Sequence, residues 1–276
     1  MLVSPHLQPT LQPLVRPGKV RLQDEDATPP DHLAHGKELD ERIDQLLVRL
    51  EKLQHALGAE AKRALLVVLQ GRDTAGKDGV IRKAFGRLNP ATCTVTAFKR
   101  PSPNELRHDF LWRVHQAVPP AGAIGIFNRS HYEDVLVVRV HQLVPEALWR
   151  KRYDHINDFE RLLADHGVTV LKFFLHISKE EQRQRLEERL ADPTKNWKFE
   201  PGDLAERALW EPYTEAYQEL LARCSTEWAP WYVVPADRKG ARDLLLAEVL
   251  VAELERLDPK FPEPNPEVLK YRGTIV

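Results

Sequence analysis

Residues 64–79 read Ala-Leu-Leu-Val-Val-Leu-Gln-Gly-Arg-Asp-Thr-Ala-Gly-Lys-Asp-Gly and carry the strongest signal in the chain. The first six form an apolar run that predicts a buried strand. From Gly71 to Lys77 the chain has the form G-x-x-x-x-G-K, which is typical of a phosphate-binding loop. Such a loop points its backbone N–H groups, and the positive end of the following helix, at phosphate oxygens. Because the motif stands between an apolar strand and an amphipathic helix, we interpret it as a phosphate site.

The residue types inside this loop suit close contact with an anion. Gly71 and Gly76 let the backbone curl and approach phosphate without an intervening side chain. Lys77 can reach the transferred phosphate as a point charge. The predicted catalytic and phosphate-binding residues of the loop are Gly71, Asp73, Thr74, Ala75, Gly76, Lys77, Asp78 and Gly79.

The positions that usually hold Mg²⁺ beside such a loop carry other residues here. A Ser or Thr normally follows the lysine, and an acid normally ends a second apolar strand. The corresponding residues are Asp78 and Asn128. Asp73 is the obvious replacement, because Mg²⁺ prefers carboxylate oxygens, although a loop Asp could instead cap a turn. Asp78 could equally act only as a favourable charge at a helix start. We expect Mg²⁺ as the cofactor, with Mn²⁺ able to substitute.

A second polar segment, residues 128–134, follows the predicted strand at 123–127. Arg129 can bridge phosphates bidentately and can stabilise the charge of a phosphoryl group in transfer. Glu133 is a candidate catalytic residue and a candidate second metal ligand. The alternative is that Glu133 and Asp134 cap the next helix or belong to an ordinary polar loop. Because this segment ends a strand near the phosphate loop, we expect Asn128 and Arg129 to contact phosphate.

A basic segment at 182–198 predicts a helix and loop that could form a lid over the site. Its candidate phosphate-binding residues are Arg185, Arg189, Lys195 and Lys198. The alternative is a solvated helix, because Glu181 precedes Arg185 by four positions and could pair with it. Lys99, at the end of another predicted strand, and Arg113, on a predicted helix, are further candidates for binding phosphate or nucleotide, although Arg113 could simply pack.

Strands and helices alternate along the chain. We predict strands at 64–69, 92–98, 123–127, 168–177 and 231–235. We predict helices at 39–57, after Lys77, and at 103–117, 145–165, 179–190, 203–223 and 240–257, with Gly58 as the stop of the first. This alternation predicts an α/β fold, a three-layer sandwich with a central parallel sheet of about five strands and helices on both faces. Right-handed crossovers place the phosphate loop at the carboxyl edge of that sheet.

The domain organisation predicted from composition has three parts. Residues 1–34 hold six of the 21 prolines and read as an extended N-terminal arm. Residues 35–262 form the main domain, with the lid at about 179–205. Residues 263–276 form a C-terminal tail. The leucine-rich face at 39–57 and the proline-rich arm predict a homodimer or homotetramer.

Charge and cysteine content exclude some classes of protein. Forty basic and 41 acidic residues give a net charge of −1, which argues against a nucleic-acid-binding domain. No apolar stretch reaches the length of a membrane span, and the N-terminus lacks the basic and apolar parts of a signal peptide. Cys93 and Cys224 could form one disulfide but suit a reducing compartment at least as well. We expect a soluble cytoplasmic protein with no membrane contact.

Five segments together resemble the family-2 polyphosphate kinases. They are residues 69–79, 105–113, 125–136, 192–198 and 230–237. The resemblance extends over most of the chain and is strongest to the class III members, which phosphorylate both AMP and ADP. It implies a P-loop kinase-like fold with a helical lid.

The resemblance also implies roles for individual residues. It ties Asp73 to Mg²⁺ and to the acceptor phosphate, and it makes Lys77 and Arg129 ligands of the phosphates in flight. Asn128 replaces an aspartate that many members carry, which fits class III. The bases that would engage polyphosphate or nucleotide phosphates are Arg185, Arg189, Lys195 and Lys198.

We therefore predict a Mg²⁺-dependent phosphotransferase that moves a terminal phosphoryl group from inorganic polyphosphate to AMP and ADP, giving ADP and ATP. One alternative is an ATP-dependent nucleoside monophosphate kinase of the thymidylate type, which would share the loop, lid and fold. Another is a regulator that binds nucleotide or polyphosphate without turnover. The presence of Asp73, Lys77 and Arg129 argues against the regulator.

Overall fold

The computed structural model describes residues 7–274, and a parallel sheet lies at its centre. Its five strands are β1 (Ala64–Gly71), β2 (Cys93–Ala97), β3 (Ile124–Asn128), β4 (Val168–His176) and β5 (Trp231–Pro235). Their order across the sheet is β2-β3-β1-β4-β5, and every neighbouring pair is parallel. All eight residues of β1 are buried, as expected for a central strand covered on both faces. The predicted α/β fold with a five-stranded parallel sheet is confirmed.

Helices cover both faces of the sheet. They are α1 (Gly36–Glu60), α2 (Lys77–Val80), α3 (Trp112–His115), α4 (Val137–Val140), α5 (Glu146–Asp165), α6 (Lys179–Ala191), α7 (Pro201–Ala208), α8 (Trp210–Cys224), α9 (Lys239–Leu257) and α10 (Pro266–Leu269). Alternate residues of β1 point to opposite faces. Leu65 and Val67 pack in the core beneath α1 and α9, whereas Leu66 and Val68 pack in the core beneath α5 and α8. The three layers follow from this alternation.

The sheet order brings two loops together. β1 lies between β3 and β4, so the chain leaves β1 and β3 side by side at the carboxyl edge. Leu69 of β1 stands opposite Asn128 of β3 in the register, and the backbone N–H of Arg129 donates to the carbonyl of Leu69 at 3.0 Å. The phosphate loop and the segment that follows β3 therefore start next to each other, at the position where parallel sheets commonly bind ligands.

The first helix differs from its prediction at its end. α1 continues through Gly58 to Glu60, and the chain turns at Ala61, whose φ is 52°. Gly58 does not stop the helix, because its backbone stays helical and the left-handed residue after the last turn is Ala61. The leucine face of α1 packs on α9 within the same chain. The predicted homodimer or homotetramer stays a prediction and loses this face as its support.

Two predicted helices are interrupted. The segment 103–117 contains a 3₁₀ turn, Glu105–Arg107, and the four-residue α3. His108 between them is extended, and the Asp109 carboxylate accepts a hydrogen bond from the N–H of Leu111 at 2.9 Å. This local side-chain-to-backbone bond competes with helix formation. The helix predicted at 203–223 is divided at Leu209 into α7 and α8.

The described part of the N-terminal arm lies along the domain, and residues 1–6 of the predicted arm lie outside the described residues. Leu14 pairs with Trp231 of β5 in an isolated antiparallel bridge. The N–H of Leu22 donates to Gln218 at 2.9 Å. These contacts place the arm against β5 and α8 rather than in solvent.

The expectations about membrane spans and disulfides can be compared with the structure. Between residues 7 and 274 no helix combines the length and apolar character needed to cross a membrane. Cys93 and Cys224 both carry free thiols, so the disulfide considered as an alternative is absent from the described residues.

Candidate active site

The phosphate loop connects β1 to α2 and carries its lysine inside the curve. Lys77 is 9% exposed, and its Nζ donates to the carbonyls of Gly71 (2.7 Å) and Arg72 (3.1 Å). Burial, and secondarily the charge of Arg129, lower the pKa of Lys77 to about 8. Gly76 has a φ of 98°, and a side chain there would collide with the guanidinium of Arg242. Only glycine suits this position.

Arg129 lies between two carboxylates at the carboxyl edge of the sheet. Its Nη2 donates to Asp73 Oδ1 at 2.6 Å, and its Nη1 donates to Glu133 Oε2 at 3.3 Å. Glu133 first, and then Asp73, outweigh burial and hold the pKa of Arg129 above its usual value. Arg129 has a φ of 62°, a left-handed conformation that is uncommon for residues other than glycine. Strained backbone of this kind often marks a functional position.

The two residues at the usual metal positions contact each other. The Nδ2 of Asn128 donates to Oδ1 of Asp78 at 2.7 Å. Within residues 7–274 no group of three or more His, Cys, Asp or Glu side chains converges as a metal cage would require. Asp73 and Glu133 nevertheless converge on Arg129, so two carboxylates lie at one place. Mg²⁺ is typically held by one or two carboxylates, with substrate phosphates and water completing its shell, and this donor set fits that pattern.

Two cavities meet at Asp73 and Arg129, which line both of them. The first, about 350 Å³, we name the basic cavity. It is lined by Asp73, Thr74, Gly76, Lys77, Asp78, Gly79, Arg82, Ala97, Phe98, Lys99, Asn128, Arg129, Arg189, Lys195 and Lys198. Seven of these side chains are basic and two are acidic, so the cavity favours a strongly anionic ligand.

The second cavity, about 480 Å³, we name the aromatic cavity. It is lined by Gly71, Arg72, Asp73, Arg100, Arg129, Glu133, Leu136, Val137, Gln182, Glu200, Glu206, Arg207, Trp210, Tyr213 and Tyr217. Three aromatic rings of α8 and two aliphatic side chains give it apolar walls, and its polar groups include four arginines and four carboxylates, whose charges balance. Such a mixture suits a ligand with a ring system and a few polar groups better than it suits a polyanion.

The predicted site residues are distributed over these cavities, with three exceptions. Glu133 and Gly71 line the aromatic cavity, and the other predicted lining residues fall in the basic cavity or in both. Ala75 is fully buried under the loop. Arg113 lines neither cavity and donates to the carbonyl of Lys99 at 2.8 Å, which is the packing role considered as its alternative. Arg185 is the third exception.

Arg185 is buried against the phosphate loop and hydrogen-bonds to it. It is 5% exposed, pairs with Glu181 at 2.7 Å, and donates to the carbonyl of Thr74 at 2.9 Å. It also donates to the carbonyls of Ala236 and Asp237 at 2.7 and 2.9 Å. The predicted ion pair with Glu181 is present. The guanidinium donates to protein carbonyls and lines neither cavity.

Two further side chains donate to the loop carbonyls on either side of Thr74. Gln182 donates to the carbonyl of Asp73 at 3.1 Å. Arg242 donates to the carbonyl of Ala75 at 3.3 Å. Together with Arg185, these donors occupy three successive loop carbonyls. Carbonyl oxygens would repel phosphate, so their engagement elsewhere favours anion binding by the loop.

The aromatic side chains of this cavity, and Arg72, were not among the site residues predicted from the sequence. Trp210, Tyr213 and Tyr217 stand at i, i+3 and i+7 on α8, and so share one helix face. That spacing was the available signal, but an aromatic stripe is usually core. Arg72 occupies a variable position of the loop motif, so the motif itself gives no reason to single it out.

A buried polar network supports the segment that carries Arg129. Lys172 of β4 donates to Glu160 of α5 at 2.5 Å and to the hydroxyl of Tyr132 at 2.7 Å. His131 and Tyr132 also contact Glu160, at 3.2 and 2.8 Å. All four side chains are fully buried. Burial acts to raise the pKa of Glu160, but Lys172 and His131 outweigh it and hold that pKa below its usual value.

We expect Lys172→Met to lower the free energy of unfolding by about 3–5 kcal/mol, because it leaves the Glu160 carboxylate buried without its cation. Urea denaturation followed by circular dichroism measures the change. The matched control is the double variant Lys172→Met with Glu160→Gln, which removes both charges and should recover part of the loss. A loss below about 1 kcal/mol in the single variant would contradict an uncompensated buried charge.

Comparisons with known proteins agree with the family resemblance found in the sequence. The family model described as Polyphosphate kinase 2 matches residues 34–262. The chain is 57% identical over 217 residues to an AMP/ADP-polyphosphate phosphotransferase of Meiothermus ruber, covering 79% of this chain and 81% of the relative. It is 45% identical over 244 residues to an ADP-polyphosphate phosphotransferase of Rhodopseudomonas palustris, covering 83% and 84%.

A solved structure agrees as well. The crystal structure of polyphosphate kinase 2 from Arthrobacter aurescens TC1 superposes with a TM-score of 0.87 at 40% sequence identity, covering 92% of this chain and 90% of that chain. The overall fold described above is therefore shared with that structure.

Proposed function

The chain belongs to the polyphosphate kinase 2 family, and we propose that it transfers the terminal phosphoryl group of inorganic polyphosphate to AMP and ADP, giving ADP and ATP. One observation carries the proposal. Asp73 and Arg129 form the boundary between a basic cavity and an aromatic cavity, so a polyanionic donor and a nucleotide acceptor can meet there from opposite sides. The names of the two relatives quoted above supply the substrate class.

The basic cavity suits the donor. Polyphosphate is a repeating anion with no base to recognise, so charge alone can bind it. Lys77 and Gly76 lie at the loop end of the cavity, and Arg189, Lys195 and Lys198 come from α6 and the turn after it. These bases would follow the chain outward from the loop and neutralise successive phosphates.

The aromatic cavity suits the acceptor. Trp210, Tyr213 and Tyr217 contribute ring surface to a wall on which a purine ring can pack, and about 480 Å³ is within the range of small-ligand sites. Glu200 and Glu206 would repel a polyphosphate chain but can accept hydrogen bonds from a ribose or base. The acceptor phosphate would then point at Asp73 and Arg129.

Mg²⁺, with Mn²⁺ able to substitute, is the proposed cofactor. Asp73 and Glu133 are the carboxylates that would hold it, and the substrates would supply its remaining oxygen ligands. When bound, the ion neutralises phosphate charge and orients the reacting oxygens. In that state Arg129 would share its two carboxylate partners with the cation.

The chemistry needs positioning and charge more than acid–base groups. An oxygen of the acceptor phosphate, already ionised, forms a bond to the terminal phosphorus of polyphosphate. The bond from that phosphorus to the bridging oxygen breaks, and the shortened chain leaves with the electron pair. The transition state is largely loose, so Lys77 and Arg129 contribute by holding the transferred group in line and balancing its charge. The same contacts serve the reverse reaction.

A donor assay tests the proposal. The purified protein is incubated with AMP or ADP, Mg²⁺ and either polyphosphate or ATP, and the nucleotides are separated by chromatography. We expect ADP and ATP to form from polyphosphate. Transfer from ATP to a nucleoside monophosphate, with none from polyphosphate, would select the ATP-dependent kinase instead. Tight binding of polyphosphate with no product would select the regulator.

We expect the double variant Lys195→Met, Lys198→Met to raise the KM for polyphosphate about 5- to 20-fold, because two charged contacts near the surface are lost. The KM for AMP should stay within about twofold. Steady-state kinetics with each substrate varied in turn measures both constants. The control is Lys37→Met with Lys52→Met, which removes two α1 lysines that line neither cavity. An equal rise of both KM values would contradict a donor-specific role.

A further inference from the structure

Arg72 is a buried cation that lacks a carboxylate partner. It is 9% exposed and lies in the phosphate loop, directly before Asp73. Its Nη2 donates to the carbonyl of Trp210 (3.1 Å) and to the hydroxyl of Thr214 (2.6 Å). Among residues 7–274, the buried Nε has no hydrogen-bond acceptor and no carboxylate forms a salt bridge with the guanidinium. A buried charge in this condition is costly unless something else compensates it.

The electrostatics of Arg72 are opposite to those of Arg129, although both line the aromatic cavity. Arg129 donates to the carboxylates of Asp73 and Glu133, at 2.6 and 3.3 Å. Arg72 donates only to neutral oxygens, those of Trp210 and Thr214. An anion that enters the cavity can therefore pair with Arg72 without displacing an existing acid.

The orientation of Arg72 is already set. Its guanidinium carbon lies over the ring of Trp210, 3.8 Å from the ring centre, and the two bonds of Nη2 fix its rotation. This contact leaves Nη1, which has no acceptor among residues 7–274, available for a hydrogen bond to an anion. Because the side chain is held in place before the ligand arrives, little conformational entropy is lost on binding.

We propose that Arg72 binds a phosphate group of the acceptor nucleotide in the aromatic cavity and thereby distinguishes nucleotides from nucleosides. The inference rests on the proposed function, because it takes the occupant of this cavity to be the acceptor. The phosphate would compensate the buried charge and accept a hydrogen bond from Nη1, which has no acceptor in the described part of the chain. Arg72 precedes Asp73 in the chain, so a phosphate bound here is next to the boundary where transfer takes place.

The test compares AMP with adenosine, which differ only in the phosphate. Isothermal titration calorimetry measures the Kd of each ligand for the full-length protein and for Arg72→Met, in the same Mg²⁺ buffer without polyphosphate. We expect the variant to bind AMP about 10- to 100-fold more weakly, the size expected for a charge-assisted hydrogen bond, and to bind adenosine within about twofold of the unchanged protein. Arg72→Lys should retain part of the preference for AMP, since it keeps the charge but loses the fork.

The matched control is Arg161→Met. Arg161 also lies over a tryptophan, at 5.7 Å from the ring centre of Trp228, but it lines neither cavity. This variant should bind AMP and adenosine with unchanged Kd values. Thermal unfolding of every variant, without ligand, shows whether the fold is intact.

The outcomes separate this inference from the proposed function. If Arg72→Met weakens AMP and adenosine equally, Arg72 only supports the fold of the cavity and the inference is overturned. If the protein transfers phosphate from polyphosphate but the ratio of the two Kd values is unchanged in Arg72→Met, the inference fails and the function stands. If no transfer occurs but the preference for AMP depends on Arg72, the inference stands and the function fails.

Discussion

Asp73→Ala is expected to lower kcat for transfer from polyphosphate to AMP by about 10³-fold or more, because this carboxylate serves both the cation and the geometry of Arg129. Asp73 lines both cavities and accepts a 2.6 Å bond from Arg129. Without it, the two usual metal positions offer no replacement, since Asn128 is an amide and Asp78 is bonded to it. Initial rates at saturating concentrations of both substrates measure kcat.

Asp73→Asn separates charge from shape. The amide can still accept a bond from Arg129 but carries no charge, so we expect it to be nearly as inactive as the alanine variant. Recovery of most activity in Asp73→Asn would assign the residue a purely positional role. The side chain is 29% exposed, so neither variant should change the thermal unfolding temperature by more than a few degrees.

The control for Asp73 is a similar ion pair away from both cavities. Asp44 accepts a bond from Arg87 at 2.9 Å, and both side chains are about half exposed. Asp44→Ala should leave kcat unchanged within about twofold. A comparable loss in Asp44→Ala and Asp73→Ala would mean that the assay reports general destabilisation.

The part of this site that is contiguous in sequence could be predicted from the sequence. β1 and the phosphate loop form one uninterrupted segment, and the parallel sheet places the end of β3 beside it. Lys77, Asp73 and Arg129 are therefore brought together by local motifs and one topological rule. The replacement of the usual metal-binding residues by Asp78 and Asn128 could also be predicted from the sequence, but the hydrogen bond between these two side chains could not.

The rest of the site depends on contacts across long stretches of chain. Trp210 contacts Arg72 only because α8 lies over the carboxyl edge of the sheet, and no local sequence pattern predicts that contact. Arg185 shows the same limit, since its pairing with Glu181 follows from spacing, whereas its bonds to Thr74 and Asp237 come from tertiary packing. Local periodicity reports which face of a helix is apolar, and not which carbonyl or cavity its charged residues will meet.

Arg129→Met is expected to lower kcat by about 10³-fold, since an arginine that stabilises transferring phosphoryl charge contributes on that scale. Arg129→Lys keeps one charge but loses the fork that binds Asp73 and Glu133 together, so we expect a loss of about 10²-fold. Arg87→Lys, in the exposed pair with Asp44, is the matched control and should keep full activity. Equal activity of Arg129→Lys and the unchanged protein would show that charge alone is required.

The combined variant Arg129→Lys, Asp73→Asn tests whether the two residues act as one unit. Because their side chains are in direct contact, the second substitution should cost far less in the presence of the first than alone. Full additivity of the two losses in kcat would mean that Asp73 and Arg129 stabilise the transition state independently. In that case Asp73 would serve the cation and Arg129 the phosphate, without a shared geometry. Strong non-additivity would instead show that the boundary between the cavities depends on the pair itself.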